Sequence, residues 1–228
     1  MAALQESDKT WNGHRVREYA AQSLGNLDVY DPRMVEILIS WLDEPSQPGA
    51  ELGQGIQTLE KFSEHAASAT PGLIRLISDP DQSDDHVQAA AIETLSAIGD
   101  PAAVPYLLKI FVSPAEPSWV RKIAGIALAK HGQASVCGAL YLIAEFDSPE
   151  PDVTISAALI LSQATDNIFP NSQIQNWDPD LGGSWIFDKN ENQEYQIVSA
   201  AKNWWQETGQ AMQWPPCKEG LDGIPVFP

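Results

Sequence analysis

Asp85-His86-Val87-Gln88-Ala89-Ala90-Ala91-Ile92-Glu93-Thr94-Leu95-Ser96-Ala97-Ile98-Gly99-Asp100-Pro101 is the stretch whose reading decides the fold. Val87, Ala91, Thr94, Leu95 and Ile98 fall at offsets 0, 4, 7, 8 and 11, which places them on one face of an amphipathic helix. Gly99 stops that helix, and Asp100-Pro101 opens the next one, an N-cap followed by a proline where a helix tolerates it.

The pattern recurs on both sides of this stretch. Val16, Ala20, Ser23 and Leu24, closed by Leu27, form a first copy. Glu51, Gly55, Thr58, Leu59 and Phe62 form a degenerate second. Val120, Ala124, Ala127 and Leu128 form a fourth, and Val153, Ala157, Ile160 and Leu161 a fifth. The small residues allow neighbouring helices to approach closely. A second apolar helix follows each of the first three copies: Val35, Leu38, Ile39 and Leu42 after Asp31-Pro32; Leu73, Leu76 and Ile77 after Thr70-Pro71; Val104, Leu107, Leu108 and Phe111 after Asp100-Pro101. A fourth, over residues 134–146, lacks the cap and carries Val136, Ala139, Leu140 and Ile143. The copies start at Val16, Glu51, Val87, Val120 and Val153, steps of 35, 36, 33 and 33 residues, and helical pairs at such a period bury their faces against one another. The expected fold is all-α, a right-handed α-solenoid of about five helical hairpins.

These residues, Val-x-x-x-Ala-x-x-(Ala/Thr/Ser)-Leu-x-x-(Leu/Ile)-Gly followed by Asp-Pro, resemble HEAT repeats. More narrowly, they are similar to the bacterial HEAT-like repeats named after phycobilisome bilin lyases. The resemblance covers Val16 to Gln163 and implies the superhelical fold. It specifies function poorly, because that family includes scaffolds, lyase subunits and several enzymes.

The pattern breaks after Gln163, so the expected division is a repeat array over residues 1–164 and a C-terminal part over 165–228. Residues 167–193 are rich in Asn, Asp, Gly and Pro and include Trp177, Trp185 and Phe187, which suits an ordered insertion. A capping helix over residues 194–207 carries Ile197, Val198, Ala201, Trp204 and Trp205. An extended, proline-rich tail is expected to fold back on the last repeat.

Charge narrows the partners. Thirteen Lys+Arg against 31 Asp+Glu give a net charge of −18. Nucleic-acid binding needs clustered cations, so that class is set aside. HEAT-like DNA glycosylases, which resemble this architecture, use a basic channel and are disfavoured on the same ground. A basic protein partner is compatible with the charge, and simple solubility is the plainer account of it. No apolar run is long enough to span a bilayer, and the N-terminal ten residues lack the apolar core of a secretory signal, so a cytoplasmic protein is expected. Cys137 and Cys217 match no zinc or redox spacing.

No catalytic constellation is legible, and no cofactor is expected. The four histidines lack metal-ligand spacing. The His-Glu dipeptides of HEAT-type hydroxylases are absent from the sequence. The candidate surface lies on the second helices, which line the concave face of HEAT arrays. Two residues after Val35, Leu73, Val104 and Ala139 stand Ile37, Arg75, Tyr106 and Tyr141; five after the same residues stand Ser40, Ser78, Lys109 and Ala144. Arg75, Tyr106, Lys109 and Tyr141 are the candidate binding residues, Tyr and Arg being favoured interface anchors. To these are added Asp79, Asp81, Asp84 and Asp85 of one acidic connector. Capping of the following helix is the plainer role for those carboxylates, and the run lacks the glycine and terminal glutamate of a calcium loop. The sequence supports a non-enzymatic protein-binding scaffold first. A bilin lyase or tetrapyrrole chaperone, implied by the resemblance alone, is the second reading. A bacterial immunity or adaptor role is a third.

Overall fold

The computed structural model describes residue 3 and residues 10–11, 14–27, 30–43, 49–79, 84–131, 199–200, 202–211, 218–219 and 225–226. Five further positions, Val153, Ser156, Ala157, Ile160 and Leu161, are also described. The fourth second helix expected over 134–146, Tyr141, Asp81, both cysteines, the insertion over 167–193 and the expected boundary near 164 lie outside the described residues. The chain divides into two compact units, Met1–Ala103 and Val104–Pro228.

In the first unit a two-residue antiparallel pair, β1 (Thr10–Trp11) and β2 (His14–Arg15), leads into α1 (Val16–Asn26). Then come α2 (Pro32–Leu42), α3 (Gly49–Phe62), a 3₁₀ segment (Ser63–Ala69), α4 (Thr70–Ser78) and α5 (Asp85–Ile98). The first helices α1, α3 and α5 pack in succession, and α2 packs on α4. Cross-layer contacts of α2 with α3 and of α4 with α5 close the stack. These are stacked helical hairpins, the construction of an α-solenoid.

Local chemistry explains the boundaries. Asp31 caps α2: its Oδ1 accepts from the Arg33 backbone N at 2.9 Å, with Pro32 at the first helical position. Asp84 Oδ1 accepts from the His86 and Val87 backbone nitrogens at 3.0 and 3.3 Å, capping α5. Gly99 adopts φ 75° and donates its N–H to the Leu95 carbonyl at 3.1 Å, a left-handed stop that glycine reaches without a Cβ penalty. Asp100 Oδ1 accepts from the Ala102 nitrogen at 2.9 Å, and the turn it opens, Pro101–Ala103, is 3₁₀. Thr70 differs from the expected cap. It lies inside α4, which begins after Ala69 with no side-chain cap bond. The 3₁₀ segment supplies the acceptor instead, since the Thr70 N–H bonds the Ala67 carbonyl.

The repeat stripe is buried where the pattern is strict. Val87, Ala91, Thr94, Leu95 and Ile98 all lie in the core, and so do Ala89, Ala90 and Ile92, because α5 is covered on more than one side. The first copy is offset. Arg17, Ala21 and Gly25 are the buried face of α1, Val16, Ala20 and Leu24 are half-buried, and Leu27 is 63 % exposed rather than closing the face. The α1 side toward α3 is set by close approach: an ideal Cβ on Gly25 would stand 3.3 Å from Thr58 Oγ1. Over the ring of Trp41, itself in the core, lies the Arg17 guanidinium, 4.3 Å from the centroid. Gly55 is required beneath that indole, for a Cβ there would come 2.6 Å from the ring.

The second unit contains α6 (Val104–Val112) and α7 (Ser118–Lys130), packed on each other. Val120, Ala124, Ala127 and Leu128 are buried as the stripe requires, and so are Val153, Ala157, Ile160 and Leu161. Gly125 faces Ser156 and Phe111, whose side-chain atoms would meet a Cβ at 2.7 and 3.0 Å. Residues 202–207 are helical, with Trp204 buried and Trp205 half-buried. In the tail, β3 (Lys218–Glu219) pairs antiparallel with β4 (Pro225–Val226), and β4 reaches α6. The tail thus returns as far as the second helix of the third repeat.

Candidate functional site

The second helices bury one stripe and present the other. On α2, Met34, Val35, Leu38 and Trp41 face inward, while Arg33, Glu36 and Ser40 are exposed and Ile37 is half-buried. On α4, Leu73 and Ile77 face inward, while Pro71, Arg75 and Ser78 are exposed. The two helices pack side by side, so their exposed stripes form one surface of the first unit. In the second unit α6 leaves Lys109 exposed and Tyr106 half-buried.

Two arginines on the α2–α4 surface are held by the chain's own carboxylates. Arg33 donates from Nε and Nη2 to both carboxylate oxygens of Asp31, at 3.0 to Oδ1 and 2.5 Å to Oδ2. That hydrogen bond holds the Asp31 carboxyl below its usual range, at about 2, and raises Arg33 above its ordinary value. Arg75 pairs with Asp43, the residue that closes α2, and so ties the second repeat's second helix to the end of the first repeat's. Both partners of that pair are exposed. It fixes the direction of a side chain that the sequence marked only by its position.

The acidic connector resolves into caps. Asp79 is exposed and closes α4, Asp84 caps α5, and Asp85 is exposed in the first turn of α5. Carboxylates at the start of a helix oppose its positive end, so local structure accounts for Asp84 and Asp85. Arg75 and these carboxylates belong to the first unit, Tyr106 and Lys109 to the second. Among the described residues no three His, Cys, Asp or Glu side chains converge to hold a metal. Among them, too, no helix is long and apolar enough to cross a membrane.

Three arrangements were not anticipated from sequence. Tyr30 stacks on His65 with ring centroids 4.6 Å apart and meets Phe62 edge-on at 5.6 Å, joining the α1–α2 turn to the end of α3. Arg121, buried in α7, donates from Nε to the Phe111 carbonyl at 2.8 Å and satisfies an end of α6. Thr58 and Thr94 bond backbone carbonyls of the preceding repeat. The signals were present: arginine directly after the starting valine in copies one and four, threonine at the same offset in copies two and three.

Fold and surface together define an all-α stack of helical hairpins. The profile of the HEAT-repeat family matches residues 51–129, and repeats of that class generally mediate protein–protein interaction. The chain is also similar to the crystal structure of an engineered protein from a structural-genomics consortium. The identity is 18 %, the match covers 89 % of this chain and 94 % of that one, and the TM-score is 0.53, which supports the fold alone. No curated protein matches the chain.

Proposed function

We propose that this chain is a non-enzymatic protein-binding module that receives a basic partner on the side of its second helices. The observation that carries the reading is the Arg75–Asp43 pair, an exposed arginine fixed across two successive repeats. A side chain already held in one direction loses less freedom on binding than a mobile one, and arginine is a frequent anchor. The basic character of the partner rests on charge. The chain carries −18, and Arg33 and Arg75 are both offset by carboxylates of the chain itself. Glu36 of α2, Asp79 at the end of α4 and Asp85 at the start of α5 are exposed in the same unit. Such a surface steers cationic partners and rejects acidic ones.

The test is affinity capture from native lysate at stepped salt, with the charge reversals Glu36→Lys, Asp79→Lys and Asp85→Lys and the anchor variant Arg75→Ala run beside the wild type. A basic protein that elutes as salt rises, is weakened by the reversals and is lost with Arg75→Ala supports the reading. Proteins captured equally by all variants would sink it. An absorption scan of the eluate tests the tetrapyrrole alternative, since a bilin would give a visible band.

A further inference from the structure

Thr58 and Thr94 occupy one repeat position, seven residues after the start of copies two and three. Both are buried. Thr58 Oγ1 lies 2.8 Å from the Gln54 carbonyl of its own helix and 3.1 Å from the Ala21 carbonyl of α1. Thr94 Oγ1 repeats the geometry, 2.8 Å from the Ala90 carbonyl of its own helix and 3.1 Å from the Ile56 carbonyl of α3. Ala21 and Ile56 are themselves equivalent, five residues after the start of copies one and two.

A threonine hydroxyl has one proton to donate. Each hydroxyl here has two acceptors, and the nearer belongs to its own helix, four residues back. A buried hydroxyl whose single acceptor lay across the interface would lose that bond when the helices part. These two lose nothing essential, because the bond within the helix survives the separation. We propose that Thr58 and Thr94 are latches in the first-helix layer: they align successive repeats when α1, α3 and α5 are closed, yet allow the layer to part locally without stranding a polar group. Because α2 packs on α3 and α4 on α5, parting of the first-helix layer lets the α2–α4 surface bearing Arg33 and Arg75 adjust its spacing.

The alternative is a lock, in which the bond between repeats holds the layer shut. Native-state hydrogen exchange on the full chain separates the two. A latch predicts that Thr58→Val slows exchange of α1 amides by roughly fourfold, because opening then exposes one more apolar group of methyl size. Exchange in α5 stays unchanged, and Thr58→Ser behaves as the wild type or opens more readily. Thr94→Val tests the second rung independently, with slowing expected in α3. Faster exchange of α1 in Thr58→Val would make the hydroxyl a lock and overturn the proposal. So would a uniform change across residues 16–98, or failure of either valine variant to fold, since a latch hydroxyl is dispensable to the closed state.

Discussion

The two compact units fasten the same repeat by different chemistry. In the first, the position seven residues into the copy carries Thr58 and Thr94, whose hydroxyls reach the backbone of the neighbouring helix. In the second, it carries Ala127 and Ile160, both buried and apolar. There the polar fastening moves to the start of the copy, where Arg121 bonds the Phe111 carbonyl. The first unit uses its equivalent arginine otherwise, with Arg17 laid over the Trp41 ring. The repeat thus dictates volume and spacing, and each copy is free to choose which atoms satisfy the backbone.

Core truncation should have the largest effect in both units. Trp41→Ala removes a fully buried indole and the platform beneath Arg17, and Phe111→Ala removes a fully buried ring. Each should cost about 3–5 kcal/mol in urea unfolding. Trp41→Ala should also relieve Gly55, so that Gly55→Ala, damaging in the wild type, becomes tolerable in the double variant. Equal damage in both backgrounds would show that the close approach at Gly55 does not limit packing.

Arg121 comes next. It is buried and bonds a carbonyl at a helix end, so Arg121→Ala should cost on the order of 1.5–3 kcal/mol. Arg121→Lys should not restore it, because the guanidinium Nε geometry is lost. Full rescue by lysine would mean that charge, not the directed bond, fastens α6 to α7. The cap of α5 ranks below it. Asp84→Ala removes the acceptor for two backbone nitrogens and should cost about 1 kcal/mol, while Asp84→Asn should nearly retain stability.

The repeat pattern was legible because its stripe residues are mostly apolar or small and their offsets are helical. Copies three, four and five bury the stripe as read. Copy one misled for a physical reason. The buried face of α1 consists of Arg17, Ala21 and Gly25, and neither an arginine nor a glycine registers as hydrophobic. The cap at Thr70 misled because a Thr-Pro step reads identically whether a loop or a 3₁₀ segment precedes it. The surface was legible in position only. That Arg75 would be exposed follows from periodicity, but its pairing with Asp43 depends on how far the second hairpin is set along the first. No local pattern encodes that displacement. Tyr30 and His65 meet for the same hidden reason.

Acid titration sharpens the contrast between caps. The Asp31 carboxyl is held at about 2, below its ordinary 3.8, first by the Arg33 side-chain hydrogen bond. A lowered folded value means that its stabilisation is complete above the unfolded value and fades as pH falls from about 3.8 toward 2. The difference in melting temperature between wild type and Asp31→Asn should therefore shrink through that window. Finding no difference at any pH would assign the effect of Asp31 to capping alone, since Asn caps as well without titrating.

The smallest expected effect separates stability from recognition. Arg75 and Asp43 are both exposed, so their pair gains little over separately hydrated ions and is screened by salt. A double-mutant cycle with Arg75→Ala and Asp43→Ala should give a coupling of about 0.5 kcal/mol or less in unfolding. The same cycle measured on partner capture should give a larger coupling, because a partner seated on the pair takes both charges out of water, where their attraction is stronger. If unfolding coupled more strongly than capture, the pair would be an element of the fold that joins the first two hairpins. The second-helix surface would then need a different anchor.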